Sequence, residues 1–138
     1  MSIVFFTDRD LGNVFPDILE KAGLAVERHR DHFLHDAPDV QWLEEVARRG
    51  WIALTHNKRI RYTPNEKEAV MQFGVRLLVI VGDAPHPELA KSFVATAQAI
   101  EQFLSGRPGP FIAKVKRPTP SELEKDALAP GRVELWYD

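Results

Sequence analysis

Acidic and polar residues recur where apolar runs stop. Asp8 and Asp10 follow the run Ile3-Val4-Phe5-Phe6, and Asp31 and Asp36 lie in a polar stretch ending at Pro38. Asp39 comes directly after that proline, His56, Asn57 and Lys58 follow residues 51–55, and Asp83 follows residues 75–81. If the runs are parallel strands, these residues crowd one rim of a sheet. Converging carboxylates repel one another, and a divalent cation relieves the repulsion; hard oxygen donors suit magnesium or manganese. A cation so held can bind phosphate oxygens and turn water into a nucleophile, so metal-dependent phosphodiester hydrolysis is the natural chemistry. Asp8 has no obvious structural duty between the apolar run and the next helix. Asp39, by contrast, also reads as a helix N-cap, as do Asp10 and Asn13, and Asp83 reads as capping a turn before Pro85.

Other chemistries find less support. His29, His32 and His35 recur every third residue, but they lie in a polar stretch among Arg28, Arg30 and Asp31, which reads as a solvated loop and not a zinc site. Lys58, Arg59 and Arg61 stand beside the expected rim and can hold backbone phosphates, although the same residues also suit an ordinary solvated turn. Trp42 and Trp51 read as core residues. There is no G-x-S-x-G elbow, P-loop or G-x-G-x-x-G run.

The elements that must position these groups follow from periodicity. Residues 3–6 read as a buried strand, and Leu11, Val14, Phe15, Ile18, Leu19 and Ala22 form one helical stripe, with Pro16 in the first turn if the helix starts near Asn13. A short strand near residues 25–27 precedes the polar stretch 28–38. Asp39 opens a helix to Arg49 with Trp42, Leu43, Val46 and Ala47 inward; residues 51–55 form a strand; a helix begins near Thr63 and stops at Gly74; residues 75–81 form a strand. A long helix is expected over 87–104, a fifth strand over 110–115, a helical turn over 121–127 and an edge strand over 132–137. Alternating strands and helices predict a three-layer α/β/α fold with a mostly parallel central sheet, whose ligands bind beyond the carboxyl ends of the strands.

Composition fits this reading. The chain has 138 residues, 44% hydrophobic and 28% charged, enough for one core-forming domain. The absence of cysteine excludes a disulfide scaffold, a thiolate zinc site and a cysteine nucleophile. The net charge of −2 is not the footprint of a dedicated nucleic-acid binder, although residues 28–30, 58–61 and 114–117 are local basic clusters. No apolar run reaches the roughly 18 residues of a membrane helix, and the first residues lack a signal-peptide pattern. A cytoplasmic protein without a membrane partner is expected.

The run Phe5-Phe6-Thr7-Asp8, then Asp39 with Trp42-Leu43 and Val46-Ala47, then Gly50-Trp51-Ile52-Ala53-Leu54-Thr55, resembles PIN-like domains, and more closely the small ones related to VapC-type toxins. The resemblance covers about residues 1–115. It implies a PIN-like domain over 1–116, with 117–138 a C-terminal extension packed on it. It further implies a magnesium- or manganese-dependent ribonuclease acting on RNA. Asp8 and Asp39 match two of the family's acids, and both would hold the cation. A third acid, in the turn after the third strand, falls at Asn57, which can ligate through its carbonyl oxygen but brings no charge. The family's remaining acid has no clear counterpart, and Asp10 or Asp36 can substitute. On this reading Asp8, Asp39 and Asn57 are catalytic, Asp8, Asp39 and Asp10 bind metal, and Lys58, Arg59 and Arg61 bind substrate phosphate. An antitoxin that covers the acidic rim and a homodimer are the implied protein partners. The departure at Asn57 keeps open a second reading, a catalytically weak or inactive PIN-like module that binds nucleic acid or a partner protein.

Overall fold

The computed structural model describes residues 3–138, with Arg61 described by its backbone alone. Six strands form one sheet: β1 (Val4–Thr7), β2 (Ala25–Arg28), β3 (Ile52–Thr55), β4 (Arg76–Ile80), β5 (Phe111–Lys116) and β6 (Arg132–Tyr137). Their order is β2-β1-β3-β4-β5-β6; β1 to β5 run parallel and β6 pairs antiparallel with β5. This is the expected three-layer α/β/α architecture.

The helices divide between the two faces. On one face α1 (Val14–Lys21), α5 (His86–Ala95) and α6 (Ala97–Leu104) bury Phe15, Leu19, Phe93 and Ile100 against Phe5, Ile52 and Leu54. On the other, α3 (Asp39–Arg49) and α4 (Pro64–Phe73) bury Trp42, Leu43, Val46 and Val70 against Phe6, Ala53 and Leu77. Alternate residues of one strand thus enter different cores, which is why the central strands are apolar throughout. Two short elements complete the described chain, α2 (His29–His32) and α7 (Pro120–Lys125).

The chain leaves β1 through α1 to reach β2, then crosses back through α3 to β3 on the other side of β1. The carboxyl ends of β1 and β3 are therefore the point where connections diverge to opposite sides. Such divergence opens a crevice at a sheet's rim.

Three local expectations change. The helix expected over 87–104 is two, because Thr96 turns its hydroxyl to the Ser92 carbonyl at 2.7 Å and accepts the Gly131 N–H at 2.9 Å. A buried threonine that bonds back to its own helix and also anchors a distant backbone group favours a break there. The stretch 28–38 is not all loop, since its start forms the single turn of α2. Asp39 is not the N-cap of α3; Pro38 holds that position and makes no side-chain cap bond.

Candidate active site

Asp8 follows β1 and is almost fully buried, at 5% exposure. Its Oδ1 accepts the Arg9 N–H at 2.7 Å, which caps a short 3-10 turn over Arg9–Leu11. That turn carries Asp10 back over the end of β3, and Gly12, at φ +65°, then redirects the chain toward α1. Asp10 accepts the backbone N–H of His56 through both oxygens, at 3.2 and 3.1 Å.

Thr55, the fully buried last residue of β3, joins the two acids. Its hydroxyl oxygen lies 2.9 Å from Asp8 Oδ2 and 3.2 Å from Asp10 Oδ2, and it accepts the Asn57 N–H at 3.2 Å. A hydroxyl has one proton, so it can donate to only one of two carboxylates. The other oxygen–oxygen contact is a hydrogen bond only when that acid carries a proton.

The electrostatics agree. The Asp8 pKa rises from 3.8 to about 7, first through burial, then through the charge of Asp10, with Asp39 adding to the rise and the Thr55 and Arg9 hydrogen bonds opposing it. Asp10 is also raised, chiefly by partial desolvation, against the hydrogen bonds from His56 and Thr55. Asp39 stands near enough for its charge to act on both. Its Oδ1 accepts Trp42 Nε1–H at 2.9 Å and lies 3.9 Å from the Arg9 guanidinium.

Several expected residues take other positions. The Asn57 side-chain oxygen accepts the Arg59 N–H at 3.0 Å, capping the 3-10 turn Lys58–Arg61. Lys58 reaches 3.9 Å toward the fully exposed Asp83, and Arg59 is exposed. The Arg61 side chain lies outside the described residues. Asn13 makes no cap bond; its Oδ1 accepts from Arg30 at 2.7 Å. His29 is buried, while His32 lies 2.7 Å from Glu27.

Further groups at the rim take their roles only in the folded chain. Thr55 is one; a hydroxyl closing an otherwise apolar strand was the signal for it. His56 is held by its Nδ1–H, donated to the Ile80 carbonyl at 2.7 Å. Arg9 and Arg30 help line a cavity of about 240 Å³ beside Asp8, together with Asn13, Arg28 and His29.

Among the described residues no three His, Cys, Asp or Glu side chains form a ready-made metal cluster. The residues present nonetheless fit a hard cation. Magnesium is commonly held by one or two carboxylates plus waters and substrate phosphates rather than by an all-protein cage. Asp8 and Asp10 supply two adjacent carboxylates whose desolvated charge a cation would neutralise.

A mostly parallel α/β/α sheet with acids at its divergence point defines the class: a three-layer α/β/α domain with a polar, acid-lined rim. Residues 3–82, more than half of the chain, match the PIN-like domain family, and the chain belongs to that family. No curated protein and no solved structure matches it. Among the described residues no helix is long and apolar enough to cross a membrane.

Proposed function

We propose that this protein is a magnesium- or manganese-dependent endoribonuclease that hydrolyses RNA phosphodiester bonds. The observation that carries the reading is the Asp8–Thr55–Asp10 contact at the divergence point of the sheet, two carboxylates held together by one hydroxyl. Asp8 and Asp10 would hold the cation, with Asp39 the third acid at its edge. The bound cation would polarise a phosphate and activate water. The protein's own groups do the rest. Thr55 fixes the two carboxylates, His56 holds Asp10 through its backbone N–H, and Asn57 braces Thr55 through its own N–H. Lys58, Arg59, Arg9 and Arg30 offset substrate phosphate charge. The finer reading is a cytoplasmic VapC-like toxin, whose antitoxin would cover the acidic rim with an arginine paired to Asp8 or Asp10.

The test is cleavage of single-stranded RNA by the purified chain with manganese, with EDTA, and with Asp8→Asn. Cleavage that needs manganese and vanishes in the variant supports the reading; equal cleavage by wild type and variant overturns it. The second reading, a weak or inactive RNA-binding module, is favoured by one observation: Asn57 replaces an acid and its oxygen is spent on a cap. It predicts salt-dependent RNA binding with no turnover.

A further inference from the structure

A second concavity, of about 340 Å³, opens beside the acid centre over β4 and β5. It is lined by Lys58, Tyr62, Val81, Lys114, Lys116 and Trp136. Lys58 comes from the turn after β3 and Val81 from the end of β4, so the concavity begins on the same rim as Asp8 and runs outward to the β5–β6 edge. Trp136 is half-buried and Tyr62 is 65% exposed, and their rings meet edge to face with centroids 5.9 Å apart. Lys114 Nζ lies over the Trp136 ring, 4.3 Å from its centre. Two acids reach its lysines: Glu134 is 2.8 Å from Lys116, and the fully exposed Asp83 is 3.9 Å from Lys58. Exposed pairs of this kind are weak and readily exchanged for a phosphate.

Two aromatic rings among three lysines match what a single nucleic-acid strand presents. Its bases offer flat faces to stack on, and its backbone offers a negative charge at each step. A duplex has no free base face, and an acidic peptide would use the lysines but not the rings. We infer that this concavity is a stacking site for a base of single-stranded RNA, with Lys114 and Lys116 on the flanking phosphates, that extends the substrate path outward from the acid centre. The choice of RNA rests on the nuclease reading above; the stacking geometry does not.

The experiment is fluorescence anisotropy of a short labelled single-stranded RNA with the full chain in EDTA, where cleavage cannot intervene. Trp136→Ala should weaken binding about tenfold or more, the size of one lost base–aromatic stack, and Trp136→Phe should restore most of it. Lys114→Gln should lower the salt slope of log K by about 0.7, one phosphate contact on a single strand. Should Trp136→Ala fail to fold by circular dichroism, Lys114→Gln and RNA-induced quenching of tryptophan fluorescence carry the test. Unchanged affinity in a folded Trp136→Ala, an unchanged slope without quenching, no RNA binding at all, or equal competition by duplex RNA or polyglutamate overturns the inference. Manganese-dependent cleavage is scored separately. Binding that depends on Trp136 without cleavage sinks the nuclease reading alone, and cleavage indifferent to Trp136 and Lys114 sinks the stacking site alone.

Discussion

The acid centre and the lysine–aromatic concavity share one rim and differ in nearly every physical respect. At the first, Asp8 is buried, its charge is penalised, and a single threonine hydroxyl stands between two carboxylates. At the second, half-exposed rings and long lysines surround an open space. The buried region is costly and rigid, which suits groups that must hold a cation at fixed positions. The open region is adaptable, which suits a strand of variable sequence. On the proposed reading, reaction and positioning would fall to different parts of the sheet: the centre between β1 and β3, the outer edge at β5 and β6.

The division of labour can be broken most severely at Asp8. Asp8→Asn should lower manganese-dependent RNA cleavage by well over a hundredfold, since loss of a metal's outer-shell partner alone typically costs 10–100-fold. Initial rates on a labelled RNA check this, and a variant within a few-fold of wild type would contradict it. Thr55→Val keeps shape but removes the hydroxyl between the acids. Its cleavage should fall by about 10–100-fold, with a weaker apparent manganese affinity as the distinguishing readout.

Stability should move the opposite way. Asp8 titrates near 3.8 when unfolded and near 7 when folded, so between those values the folded state holds the extra proton. Asp8's contribution to the stability of the metal-free protein should therefore be full below about pH 4, fall as pH rises to about 7, and stay flat above. Asp8→Asn removes that fall. At about pH 8 it should melt several degrees above the metal-free wild type, and near pH 4 the two should converge. Manganese should raise the wild-type melting temperature at pH 8 and leave the variant's nearly unchanged. Calorimetry across pH reads both effects, and a variant less stable than wild type at pH 8 would contradict the burial argument.

The smallest effects belong to the open cations. Lys58→Ala should raise KM a few-fold with kcat nearly unchanged, because a solvated lysine near phosphate contributes mainly binding. A fall in kcat instead would move Lys58 into the reacting centre.

The sequence carried the architecture because both faces of the sheet are buried. Residues 51–54 and 77–81 are apolar without alternation, the pattern of a parallel strand covered on both faces. It also carried the position of Asp8, an acid set at the end of such a run. The partnership of Asp8 with Asp10 through Thr55 was hidden, since it spans 47 residues and a terminal threonine reads as one more strand residue. The break at Thr96 was hidden for the same reason, resting on a contact with Gly131, 35 positions away. The residues 114–117 were visible as a basic cluster, but their meeting with Trp136 exists only after β6 folds back along β5.

The most direct measurement is a crystal soaked in manganese and read for anomalous scattering. The account predicts a peak in ligand contact with carboxylate oxygens of Asp8 and Asp10, with Asp39 facing it and Asn57 outside the coordination sphere. A soaked crystal with no peak at that rim, or with its ordered manganese bound elsewhere on the molecule, would contradict it.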